Sequence, residues 1–274
     1  MVWQTTVAEE GPGGQAIPMT RDELEAMWDE LVESWQPARR GLLRARGRQG
    51  TPDDEPCIIS PEARYRGAAN QLYRIEIHDV RPDGTATFKW SRDNGSVVYP
   101  VRDFDLSTEG GTQTATVTLD HLGRDDRFAL AVGDWVEAVD DGYALGGRNA
   151  PLWQVDQVDS LERRVVLVRE AAGGTPIDLD RHPLLRRWDQ TATAGQRLDG
   201  GAVPLEEGRW LALEDGVEVR FEPRDAGAAP PFRRGDYWLV PARTVTGDVE
   251  WPGPVDAPEA RPPKAPSPRR DRSR

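Results

Sequence analysis

Short runs of alternating apolar and polar side chains recur from Tyr65 onward, and their period of two is that of strands with one buried face. The clearest is Leu72-Tyr73-Arg74-Ile75-Glu76-Ile77-His78. Pro82-Asp83-Gly84 turns the chain back through Thr85-Ala86-Thr87-Phe88-Lys89-Trp90, and Asp93-Asn94-Gly95 leads into Ser96-Val97-Val98-Tyr99-Pro100. Asn-Gly and Asp-Gly are hairpin-turn pairs, so this stretch predicts a three-stranded meander. Further strands are predicted over 112–119, 152–158, 164–168, 209–213 and 217–221. Twice a Gly-Asp pair opens into an aromatic, β-branched run, at Gly133-Asp134-Trp135-Val136 and at Gly235-Asp236-Tyr237-Trp238. Asn94, Gly95, Gly133, Asp134, Gly235 and Asp236 are therefore read as structural turn residues, each pair feeding a strand.

Helical spacing appears at the N-terminal end. Thr20-Arg21-Asp22-Glu23 fits a capping box, and Leu24, Met27, Trp28, Leu31, Val32 and Trp35 form one apolar stripe before Pro37. That predicts an amphipathic helix packed on a sheet. Residues 39–55, rich in Arg, Gly, Pro and Asp, read as a linker, residues 182–189 as a crossing segment, and residues 252–274 as a disordered Pro/Arg tail. The expected fold is mainly β, with antiparallel sheets forming small barrel or sandwich units and one N-terminal amphipathic helix. The expected organisation is helix and linker over 1–55, β-meander over 56–110, a small barrel-like unit over 111–170, a second β unit over 171–251, and the tail over 252–274.

Composition narrows the partners. The 274 residues carry a formal net charge of -12, which argues against general nucleic-acid binding because a phosphate backbone calls for a basic footprint. The single cysteine, Cys57, excludes an intrachain disulfide framework. No apolar run reaches the length of a membrane span, and Met1 to Glu10 has neither a basic start nor an apolar stretch. The expected location is cytoplasmic or particle-associated.

Candidate chemistry is sparse. His78, His121 and His182 have no metal-ligand spacing, no serine sits in a Gly-x-Ser-x-Gly turn, and Asp125-Asp126 and Asp140-Asp141 read as solvated turns. No catalytic residue, metal or cofactor is assigned. Trp90, Trp135, Trp153, Trp188, Trp210 and Trp238 fall on or beside predicted strands and read first as core anchors. The alternative is a sugar-stacking or protein-binding platform, and its candidate residues are Trp90, Arg92, Arg186, Arg187 and Trp188.

Several longer motifs occur in order: Pro56-Cys57-Ile58-Ile59-Ser60-Pro61, Arg64-Tyr65-Arg66-Gly67, Asn70-Gln71-Leu72-Tyr73-Arg74, Trp90-Ser91-Arg92-Asp93-Asn94-Gly95, Leu122-Gly123-Arg124-Asp125-Asp126, His182-Pro183-Leu184-Leu185-Arg186-Arg187-Trp188-Asp189 and Gly235-Asp236-Tyr237-Trp238-Leu239-Val240. Across roughly 56–251 the chain resembles an uncharacterised bacterial domain-of-unknown-function family associated with modular, phage-tail-like and contractile-injection-type proteins. The resemblance implies a non-enzymatic structural or adhesion module whose partners are proteins of a larger assembly or a surface glycan. It transfers no catalytic residue. The alternative is a carbohydrate-active or carbohydrate-binding domain. Similar proteins carry a segment before the position of Val2-Trp3-Gln4 and continue differently after Trp251, where this chain turns to Pro and Arg.

Overall fold

The computed structural model describes residues 41–49, 64–145, 150–170, 177–192, 197–223 and 232–264. In chain order the strands are β1 (Gly41–Gly47), β2 (Gln71–Val80), β3 (Ala86–Ser91), β4 (Val98–Glu109), β5 (Thr112–Leu119), β6 (Trp135–Val139) and β7 (Leu152–Asp159). They continue as β8 (Arg164–Glu170), β9 (Leu184–Trp188), β10 (Val203–Pro204), β11 (Trp210–Ala212), β12 (Val217–Pro223), β13 (Tyr237–Arg243) and β14 (Asp248–Val249). Among the described residues one short helix, α1 (Asp141–Leu145), follows β6.

Six strands close into an antiparallel barrel in the order β4-β5-β8-β7-β6-β9. Its interior follows from alternation: Ala115, Val117 and Leu119 of β5 point inward while Thr114, Thr116 and Thr118 lie between core and solvent. Tyr99, Val136, Trp153, Val155, Val165, Leu167 and Leu185 complete the filling. Closure gives every strand two neighbours, so the barrel leaves no open edge.

The other strands form two sheets, β1-β12-β11 and β10-β3-β2-β13-β14, facing each other over a second core. Leu43, Ala45, Val219 and Phe221 meet Tyr73, Ile75, Phe88, Trp90, Trp238 and Val240 there. Phe221 stacks with Phe88, Phe232 and Trp238 at centroid separations of 4.9, 5.7 and 5.8 Å. Unlike the barrel, these sheets end in edge strands among the described residues, β1 and β11 in one and β10 and β14 in the other.

Several expectations are corrected. The antiparallel, mainly β class holds, but β2-β3-β4 is not a meander: after Asn94-Gly95, β4 leaves β3 and pairs with β5 and β9. The expected linker over 39–55 contains β1, whose Leu43 and Ala45 face the core while Arg44 and Arg46 pair with Glu222 and Glu218 on β12. Two arginines and two glycines hid a seven-residue alternating strand. Residues 182–189 are no crossing, because β9 wedges between β4 and β6 and closes the barrel. The expected tail is docked as far as Lys264: Leu43 and Arg261 exchange backbone hydrogen bonds, as do Tyr237 and Lys264. Trp238 Nε1 donates to the Arg261 carbonyl at 2.9 Å and Trp251 Nε1 to that of Glu259 at 2.7 Å. Indole N–H groups therefore offset what proline withholds from the ladder. The predicted N-terminal helix lies outside the described residues.

Candidate functional site: the junction of barrel and sandwich

Strand β3 is buried on both faces. Phe88 and Trp90 enter the sandwich core, whereas Thr87, Lys89 and Ser91 turn toward the barrel. Lys89, one of the two lysines in the chain, is 2% exposed. Its Nζ lies 2.6 Å from Glu137 Oε1 on β6 and 3.3 Å from Glu76 Oε1 on β2, and 4.4 Å from the centroid of the Trp188 ring on β9. Trp188 Nε1 donates to Glu137 Oε2 at 3.2 Å, and Arg186 Nη1 stands 3.9 Å from the same oxygen. A buried ammonium thus has two carboxylates and an indole face, so its desolvation is met by several partners.

A second network continues from it. Arg92, just beyond β3, donates its backbone N–H to Asp189 Oδ2 at 2.9 Å, and its Nη2 lies 2.8 Å from Glu214 Oε2. Arg187 Nε approaches Asp189 Oδ1 at 3.4 Å, while its Nη1 donates to the Arg127 and Ala129 carbonyls at 3.1 Å each. Tyr73 Oη donates to Glu214 Oε1 at 3.1 Å. Burial pushes the Glu214 carboxyl up to about 7, against the pull of Arg92, and Asp189 adds to the rise. Burial, then the adjoining Glu214, raises the Tyr73 phenol above its ordinary value. Burial works against the Arg92 charge, but Asp189 and Glu214 outweigh it and hold the guanidinium above its usual pKa.

Of the five candidate binding residues, Arg92, Arg186, Arg187 and Trp188 meet at this junction, while the Trp90 ring lies in the sandwich core. Trp90 is 3% and Trp188 1% exposed, so their rings face protein. Sequence reasoning missed Lys89, Glu76, Glu137, Asp189 and Glu214. One signal was present: a lysine in an arginine-dominated chain, on the polar face of the most aromatic strand.

The two Gly-Asp pairs fold alike. Gly133 N–H donates to the Val155 carbonyl, Val155 N–H to that of Asp134, and Asp134 N–H to that of Ala131. Gly235, Ile77, Asp236 and Arg233 repeat this pattern bond for bond. Each pair docks on a strand that bulges at the next residue, Asp156 on β7 and His78 on β2. Gly133 and Gly235 have φ of +95° and +78°, and Asn94 and Gly95 of +56° and +63°, conformations that favour glycine and asparagine.

The remaining candidates are scattered. His182 Nδ1 lies 2.8 Å from Asp141 Oδ2 at the surface. Asp125 Oδ1 accepts from the Arg127 and Phe128 N–H groups, and buried Asp140 accepts from Tyr143 and Asp178. Among the described residues no group of three or more His, Cys, Asp or Glu is placed to hold a metal, and no helix is long and apolar enough to cross a membrane.

A closed six-stranded barrel locked through buried ion pairs to a two-sheet sandwich defines an all-β protein whose two units meet along β3, β6 and β9. The chain belongs to a family of unknown function, DUF6519, which matches residues 35–270. That span exceeds the 56–251 resemblance and takes in the docked segment before Lys264. No curated protein and no solved structure matches the chain.

Proposed function

We propose that the chain is a non-enzymatic β-rich structural or adhesion module of a larger bacterial, phage-tail-like assembly, cytoplasmic or particle-associated. The observation that carries this reading is the Lys89–Glu137 contact at 2.6 Å between the two units. A buried ion pair whose partners sit on different units fixes their relative placement, since breaking it strands a charge away from water. Such coupling suits a part that transmits load or presents a surface, and it engages in mutual contacts the ionisable side chains that catalysis would need free. The resemblance of the sequence motifs to a family associated with phage-tail-like proteins points the same way.

Affinity capture of the full chain from its source cells, followed by mass spectrometry, tests the proposal. Enrichment of sheath, tube or baseplate proteins is the expected result. A chain that enriches none of these overturns it.

A further inference from the structure

The barrel ring is closed, but β4 is longer than the ring needs. Val98, Tyr99 and Pro100 pair with β9, and Val101 N–H donates to the Pro183 carbonyl. A bulge at Arg102 then bends the strand. From Asp103 to Glu109, β4 pairs with β5 on one side and continues beyond the ring, and its other edge meets no strand among the described residues.

The turn at its end sets which groups face that edge. Gly110 and Gly111 have φ of +59° and +89°, as in a two-residue hairpin turn whose flanking pair, here Glu109 and Thr112, exchanges backbone hydrogen bonds. Alternation from that pair directs the backbone N–H and C=O groups of Phe104, Leu106 and Thr108 to the open edge. Phe104 N–H is met there by a side chain, the Asp103 Oδ1 at 3.0 Å, in the place a strand would fill.

Side chains along the edge sort by face. Phe104 and Leu106 are half-buried against the barrel core, and the Phe104 ring meets Trp153 edge-on at 6.1 Å between centroids. Asp103, Asp105, Ser107 and Glu109 are exposed on the other face, and none of the three carboxylates has an ion pair among the described residues.

We propose that this edge takes up an extended segment of a partner protein, with Lys or Arg at alternate positions and apolar residues between them. Main-chain bonds to Leu106 and Thr108 hold the segment. Its basic side chains lie beside Asp103, Asp105 and Glu109, and its apolar ones extend the strip begun by Phe104 and Leu106. A second copy of the chain is disfavoured, because antiparallel pairing about Leu106 sets Asp103 opposite Glu109. The net charge of -12 draws a basic partner in and discourages an acidic one. The edge lies apart from the buried junction, so failure to capture tail proteins leaves this proposal standing.

Fluorescence anisotropy tests it, with the full chain and a labelled, end-capped peptide, Lys-Val-Arg-Val-Lys-Thr-Arg. The control has the same composition with its basic residues grouped at one end. The alternating peptide is expected to bind about tenfold tighter than the control and to slow hydrogen exchange at the Leu106 and Thr108 amides. Combining Asp103→Asn, Asp105→Asn and Glu109→Gln should weaken it about tenfold at unchanged melting temperature. Thr108→Pro removes an outward N–H without breaking a bond to β5 and should abolish the protection at Leu106; should it fail to fold, the charge variant carries the test. No binding, equal binding of the two peptides, or binding that leaves both amides exchanging as before overturns the proposal. So does protection at these amides in the peptide-free chain that disappears on dilution, which would assign the edge to a second copy.

Discussion

The barrel and the sandwich use the same Gly-Asp turn docked on the same kind of bulge, yet the bulged residue differs. In the barrel it is Asp156, exposed to solvent. In the sandwich it is His78, 9% exposed, with Nδ1 lacking a partner and its pKa pushed down to about 3 by burial, aided by Lys89. The backbone solution is shared; the surroundings are not. The barrel satisfies its edges by closing, so an extra residue can face water. The sandwich relies on what docks against it, with the barrel covering the polar face of β3 and residues 251–264 lying against β1 and β13. Its stability is therefore conditional on neighbours in a way the barrel's is not.

Removing the charge at the junction tests that contrast most severely. Lys89→Met leaves Glu137 and Glu76 without their buried cation and is expected to cost about 3–5 kcal/mol in denaturant unfolding. Adding Glu137→Gln should recover much of the loss, because the remaining groups are then less charged. Hydrogen exchange should show β2 and β3 losing more protection than β5 and β8. Equal loss in both units would make them one cooperative block and end the contrast.

How much of this was legible in the sequence follows the same division. Alternation reveals which residues face a core, so β2, β5, β7, β8 and β13 stood out. It cannot reveal that the other face is covered too, and Lys89 and Glu137 therefore looked like ordinary polar positions. Nor does a turn motif say where the next strand goes: Asn94-Gly95 has hairpin dihedrals, yet it passes the chain from sandwich to barrel. The Pro-rich segment before Lys264 looked unable to order itself. It is ordered by Trp238 and Trp251, tryptophans whose N–H groups reach its carbonyls.

Acid and alkali are expected to stress the sandwich from opposite sides. His78 binds its proton less readily folded than unfolded, so its contribution is fully present above about pH 6.5 and is lost as pH falls toward 3. Glu214 binds its proton more readily folded, so its contribution is fully present below about pH 4.5 and is lost as pH rises to about 7. The His78 effect is at most about 5 kcal/mol and the Glu214 effect at most about 3 kcal/mol. Urea unfolding across pH 3–8 should show a shallower acid limb in His78→Asn and a shallower fall between pH 4.5 and 7 in Glu214→Gln. Unchanged limbs would mean that neither group senses its burial.

The docked segment gives a smaller, local effect. Trp238→Phe removes the donor to the Arg261 carbonyl and part of the core, and should cost about 2 kcal/mol. Faster exchange is expected at the Leu43, Arg261, Tyr237 and Lys264 amides, whose bonds tie the segment to both sheets. The barrel amides should keep their rates, since nothing in their closure depends on this segment.

The finest distinction lies in the turns themselves. Gly133 and Gly235 both have positive φ, and a Cβ at either would meet nothing within 4 Å, so substitution adds backbone strain without a clash. Gly133→Ala and Gly235→Ala are each expected to cost about 1 kcal/mol. Equal costs would make the two turns energetically equivalent and assign the contrast between the units to His78 and Asp156. A larger loss for Gly235→Ala would instead show strain passing from the turn through Ile77 into the buried bulge, since Ile77 is bonded to both residues of the pair.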